Sequence, residues 1–140
     1  DFAFADASTR FAFSEVKLGI APAVIAPYIL RRCGEFHARD LMLTARLFSA
    51  EEAEQMKLVN KNLPAGELEN EALKIIRMLE AVAPNAMSET KKLILSLKSS
   101  HQEEISRQTA ALIARLRQSE EGQEGMSAFL EKRKPNFKGR

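Results

Sequence analysis

At Gly19 the hydrophobic period of the chain changes from two to about 3.6 residues. Before it, Phe2 and Phe4 alternate with Ala3 and Ala5, and Phe11 and Phe13 alternate with Arg10 and Ala12. The polar run Asp6-Ala7-Ser8-Thr9 separates the two segments. Aromatics at period two on either side of a turn predict two short strands. Two strands alone do not make a stable sheet. The four phenylalanines are therefore expected to need partner strands that this sequence does not contain.

After Gly19 the residues read as helices. Ala21-Pro22-Ala23-Val24 predicts a helix start, with Pro tolerated in the first turn, and Gly34 is expected to stop that helix after Cys33. A second helix is predicted from about Glu35 to Thr44. Ser49-Ala50-Glu51-Glu52 has the form of a capping box and opens a short helix ending near Leu58. Val59 to Leu63 is a brief extended segment before Pro64. Leu68, Ala72, Ile75, Ile76 and Leu79 then form one apolar stripe. Pro84 breaks it. Met87, Thr90, Ile94 and Leu97 mark a further helix, and Ile105, Thr109, Leu112, Ile113 and Leu116 another. Gly122 and Gly125 are expected to loosen the next join, before a last stripe of Met126, Phe129 and Leu130. The predicted division is a strand-bearing part over 1–64 and a helical region over 65–140.

Composition excludes several classes of function. The hydrophobic fraction of 45% and charged fraction of 29% are ordinary for a globular protein. No apolar run approaches the roughly 20 residues of a membrane span, so no membrane partner is expected. The net charge of +2 is too small to imply nucleic acid. Cys33 is the single cysteine, so no intrachain disulfide forms, which fits a reducing compartment and an expected cytoplasmic location. His37 and His101 lie on separate predicted helices without ligand-spaced partners, so no metal site is read. The chain starts Asp1-Phe2-Ala3 with no initiator Met and no secretory pattern. Natural termini seldom start inside a core element, and an upstream half is therefore expected to be missing.

Two features point towards chemistry. Glu15 follows Phe11 and Phe13 at period two, so an unbroken strand would put it on their face, beside Val16 and Leu18. A carboxyl desolvated by apolar neighbours holds its proton to higher pH and can act as a general acid or base. The competing reading is a strand-end Glu turned to solvent or paired with Lys17. The second feature is the tail: Lys132, Arg133, Lys134, Lys138 and Arg140 stand against Glu131 alone among the last residues. It reads either as a solvated helix end complementing the helix dipole or as a contact for a phosphorylated ligand.

Four stretches in order resemble the crotonase (enoyl-CoA hydratase/isomerase) family. Phe11-Ala12-Phe13-Ser14-Glu15-Val16-Lys17-Leu18-Gly19-Ile20-Ala21-Pro22 is similar to its segment of phenylalanine, glutamate, leucine-glycine and proline. Leu43-Thr44-Ala45-Arg46 and Phe48-Ser49-Ala50-Glu51-Glu52-Ala53 resemble its leucine-threonine-glycine and serine-alanine-glutamate turn. Lys57-Leu58-Val59-Asn60 resembles its glycine-leucine-valine-asparagine strand, and Glu124 to Phe137 its C-terminal helix and tail.

The resemblance implies the C-terminal part of a crotonase-like α/β spiral, mostly helical with a few short strands, followed by a helical oligomerisation region. It implies an acyl-CoA substrate, no cofactor beyond the CoA of that substrate, and a homotrimer or hexamer. Glu15 would be the second catalytic glutamate, giving a proton to the α-carbon. The first glutamate and the two amides of the oxyanion hole would belong to the upstream half, so this fragment alone would be inactive. Pro22, Ala23 and Val24 would shape the acyl pocket. Lys132, with Phe129 nearby, would meet the adenosine end of CoA, often across a subunit boundary. Two departures stand out: Ala23-Val24-Ile25-Ala26 replaces a glycine-rich run, and Ser14 a common proline. Both resemble the branch that hydrates branched, carboxylated enoyl-CoAs such as 3-methylglutaconyl-CoA of leucine breakdown. A double-bond isomerase, or an assembly module without activity of its own, are the alternatives.

Overall fold

The computed structural model describes residues 1–97 and 102–137. His101, Lys138 and Arg140 lie outside the described residues, and nothing is described of the Ile105 side chain. The chain divides into two compact units, Asp1–Leu73 and Lys74–Arg140.

In the first unit, β1 (Phe4–Asp6) runs parallel to β4 (Lys61–Leu63), in register Phe4 with Lys61, Ala5 with Asn62 and Asp6 with Leu63. Asn60 extends the pairing: its N–H donates to the Ala3 carbonyl at 2.7 Å, and its Oδ1 accepts from the Ala3 N–H at 2.7 Å. β2 (Arg10–Phe11) pairs antiparallel with β3 (Phe48–Ser49). The two phenylalanine-bearing segments thus find partners within the chain, at 61–63 and 48–49, contrary to the expectation of none. They also do not pair with each other. Asp6 organises the turn between them, its Oδ1 accepting from the Ser8 hydroxyl and N–H at 2.6 and 2.8 Å.

Helix α1 spans Ala26–Thr44 and carries the core-facing residues Ile29, Cys33, Ala38 and Leu41. An unbroken helix would bury the residue four beyond Cys33; instead the buried stripe slips by one, to Ala38. Gly34 accounts for the slip, because it leaves helical geometry at φ 74, ψ 171. Gly34 therefore ends the first helical run, as the sequence predicted, and a second run continues beyond it to Thr44. The start differs: residues 21–25 form a turn, and the helix begins at Ala26 with Pro27 in its first turn.

The core is built around Phe48, 1% exposed, whose ring stacks on Phe11 at 5.4 Å and lies 6.0 Å from Phe13. Ala5, Ala50, Ala53, Met56, Leu58 and Val59 complete it. Ala5 of β1 is buried in this core and Ala3 packs against it, while Phe2 is 52% exposed. Helix α2 (Ala50–Gln55) opens on the predicted capping box: Ser49 Oγ accepts from the Glu52 N–H at 3.1 Å, and Glu52 Oε2 accepts from the Ser49 N–H at 2.8 Å. Arg46 ties this box to α1, donating to Asp40 at 2.8 Å and to Glu52 at 2.7 Å.

The unit boundary falls within α3 (Leu68–Glu80). The second unit adds α4 (Pro84–Ser96), α5 (Gln102–Gln118) and α6 (Glu120–Leu130). Glu121 of α6 caps α4, accepting from the Asn85 and Ala86 N–H groups at 3.1 Å each. Gly122 and Gly125 lie inside α6 and do not loosen a join. A Cβ at Gly122 would collide with the Leu116 carbonyl, and one at Gly125 would touch the Phe137 ring at 3.8 Å. Both glycines permit close approach, which periodicity does not reveal. Among the described residues of this unit, Ala128 is the one buried apolar side chain, while Met78, Ile94 and Ile113 are 66%, 57% and 56% exposed.

Candidate active site

Glu15 begins a 3-10 turn, Glu15–Leu18, and not the continuation of a strand. The Lys17 N–H donates to the Ser14 carbonyl at 3.0 Å, and the Ile20 N–H returns to the Glu15 carbonyl at 3.2 Å. Gly19 closes the turn at φ 74, which Gly adopts without steric cost. The turn packs against α1. Its winding leaves Val16 and Leu18 37% and 75% exposed, so the apolar surroundings expected from them are absent.

The Glu15 side chain is nevertheless half-buried, and its Oε2 is buried without a hydrogen-bond partner. Burying a carboxylate oxygen unsatisfied is unfavourable. Groups left in this condition in a folded protein call for an explanation, of which function is one.

Pro22, Ala23 and Val24 form the turn that leads into α1. The Ala23 N–H donates to the Ala21 carbonyl at 2.8 Å, and the Ala26 N–H to the Pro22 carbonyl at 2.9 Å. Pro22 is half-buried, while Val24 is 86% exposed. Glu15 and this turn thus belong to one unit and flank the start of α1.

Phe129 and Lys132 belong to the other unit. Phe129, one residue from the end of α6, is 82% exposed. Lys132 follows the helix at φ 53, a left-handed conformation unusual for a residue with a Cβ. Its N–H donates to the Phe129 carbonyl at 3.2 Å, and the Arg133 N–H to the Ala128 carbonyl at 3.0 Å. These two bonds make a Schellman end, with Lys132 at the position usually held by glycine.

Beyond it the tail folds back on its helix. Glu124 accepts from Arg133 Nη1 and Nη2 at 2.6 and 2.8 Å, and from the Asn136 N–H at 2.7 Å. The Arg133 guanidinium, with the Asn136 N–H, holds the Glu124 carboxyl down at about 2. The Phe137 ring lies over Gly125. The fixed tail borders an open cleft of about 640 Å³, whose walls include Arg77, Lys134 and Phe137.

The enoyl-CoA hydratase/isomerase family pattern matches residues 1–140, the whole chain. The chain belongs to this family. A candidate enoyl-CoA hydratase of Thermus thermophilus is 36% identical over 137 residues, covering 98% of this chain and 54% of that protein. The methylmalonyl-CoA decarboxylase of Escherichia coli is 32% identical, covering 99% and 54%. A crystal structure of a candidate enoyl-CoA hydratase/isomerase (crotonase) from Legionella pneumophila superposes with TM-score 0.88 at 43% identity, over 98% of this chain and 53% of that one. The chain thus has the crotonase fold and spans about half the length of the relatives it matches.

The sequence missed the Glu124–Arg133 pair, because a separation of nine residues across a helix end matches no helical period. The cue was present all the same: an arginine just past a helix end with an acid one face back. Among the described residues no helix is long and apolar enough to cross a membrane, and no cluster of His, Cys, Asp and Glu is placed to hold a metal ion.

Proposed function

We propose that this chain is the C-terminal half of an enoyl-CoA hydratase, with Glu15 as the acid of its active site. The observation that carries the reading is the buried, unpartnered Oε2 of Glu15 on a turn whose backbone is tied on both sides. Addition of water across the 2,3 double bond joins hydroxide to the β-carbon and a proton to the α-carbon. Glu15 supplies that proton from its carboxylic acid form. The base that takes a proton from water, and the amides that receive charge on the thioester oxygen, lie in the preceding half. Pro22, Ala23 and Val24 line the acyl pocket; Lys132, beside Phe129, meets the phosphorylated end of a CoA, as the family often arranges across a subunit boundary. A lysine suits that contact as a mobile point charge. No cofactor beyond the substrate's CoA takes part, and the protein works in the cytoplasm.

The substrate is a branched, carboxylated enoyl-CoA of the 3-methylglutaconyl type, a reading that rests on Ala23-Val24-Ile25-Ala26 and Ser14. The test is Glu15→Gln in the full-length protein, followed by loss of enoyl thioester absorbance on crotonyl-CoA and 3-methylglutaconyl-CoA. Turnover should fall by orders of magnitude, given what a positioned acid contributes. A near-normal rate would end the assignment. A shifted alkene in place of a 3-hydroxyacyl product would make the protein an isomerase.

The second reading, assembly, has its own observation. Ala128 alone is buried among the described apolar residues of the second unit, and Phe129 and Leu130 are 82% and 79% exposed. Exposed apolar faces mark interaction surfaces, and assembly into a homotrimer or hexamer would cover this one. A stable trimer or hexamer formed by this chain alone would favour it, and a soluble monomer would count against it.

A further inference from the structure

Lys132 stands in a left-handed conformation, φ 53, which is unfavourable for a residue with a Cβ. Something must hold it there. Both of its neighbours are fixed by side chains: Arg133 Nε donates to Glu131 Oε2 at 2.6 Å, while the rest of its guanidinium is taken by Glu124. The Asn136 N–H reaches the same carboxylate at 2.7 Å, so the segment from Glu131 to Asn136 is looped onto one side chain of α6. Planar, two-point pairing of guanidinium with carboxylate fixes direction as well as distance. The end of the looped segment, Lys134 to Phe137, borders the open cleft together with Arg77, and Lys132 lies outside its lining. The backbone that carries Lys132 and Lys134 is therefore held at a set place on α6 and is not a freely moving end.

We propose that Glu124 is a positioning residue for substrate binding: by clasping Arg133 and the Asn136 amide it sets Lys132 where its ammonium meets the phosphorylated nucleotide end of an acyl-CoA. This rests on the reading of Lys132 given above. Glu124 does not touch the substrate. Replacing one of its acceptor oxygens by an amide NH2 sets a donor against the guanidinium and opens the clasp.

The experiment uses the full-length protein and two substrates: the acyl-CoA, and the same acyl group on pantetheine, which lacks the nucleotide end. Glu124→Gln should raise KM several-fold for the acyl-CoA, leave kcat within about twofold, and leave the pantetheine thioester unaffected. The exchanged pair Glu124→Arg with Arg133→Glu should recover part of the loss. A rise in KM for both substrates alike, or a fall in kcat, would show a merely structural role and overturn the proposal. Lys132→Gly separates the two readings. If it leaves the KM for acyl-CoA unchanged, the assignment of Lys132 fails and the proposal falls with it. If it raises that KM while Glu124→Gln does not, the positioning role alone fails.

Discussion

Glu124 holds Arg133 through two parallel hydrogen bonds across nine residues of chain, 2.6 Å to Nη1 and 2.8 Å to Nη2. The pair has a direct consequence for acid behaviour. The Glu124 carboxyl lies at about 2 in the folded chain, well below its ordinary 4.5. A group whose value is lowered by folding binds its proton more readily when released, so its contribution is complete above the ordinary value. It is lost as pH falls from about 4.5 through about 2. Acid titration followed at the Asn136 amide by NMR should give a midpoint near the lower value. A midpoint at the ordinary value would mean that the clasp is not closed in solution.

Lys57 is the second place where a lysine takes a glycine's position. It follows α2 at φ 64, its N–H donates to the Glu54 carbonyl at 3.0 Å, and the Leu58 N–H donates to the Ala53 carbonyl at 2.8 Å. Lys57→Gly relieves the left-handed strain but frees the unfolded backbone, leaving a net gain of about 0.5–1 kcal/mol. The urea midpoint of the chain should rise. A fall would mean that the lysine side chain stabilises the turn in some other way.

Gly122 should tolerate no side chain. A methyl group there meets the Leu116 carbonyl, which is backbone and cannot swing aside. Gly122→Ala is expected to cost about 1–3 kcal/mol despite alanine's better helix propensity. Thermal unfolding followed by circular dichroism measures it, with Gly125→Ala as the milder comparison.

Phe48 joins β3 to the ring pair of Phe11 and Phe13 and is almost wholly enclosed. Phe48→Ala should cost about 3–5 kcal/mol, and Phe48→Leu less. Denaturant unfolding gives both values. If the alanine variant lost under 1 kcal/mol, the core would not be centred on this ring.

Legibility in the sequence followed the range of the interactions. The capping box of Ser49 and Glu52 was readable because both partners lie within one turn of helix. So was the helical run after Pro64, where each stripe depends on local period. The start of α1 was misplaced by five residues, since Ala21-Pro22-Ala23-Val24 satisfies the rules for a first turn yet folds as a separate turn. The strand through Phe13 was extended too far, because period two persists to Glu15 in the sequence while the backbone winds into a 3-10 turn. Glu15 itself was singled out, but Val16 and Leu18, the neighbours expected to bury it, are exposed.

By itself the sequence determined the family, the order of the helices, the local cap at Ser49 and the residues worth testing. These depend on patterns within a few positions, or on motifs kept in register along the chain. Only the tertiary structure decided which strands pair, and that Ala3 and Ala5 face the core while Phe2 does not. It also decided that Glu124 reaches Arg133, and that Lys132 is held left-handed between fixed neighbours. Pairing and face selection depend on which distant segments bury each other's surface, and burial is a property of the packed whole that no local period encodes.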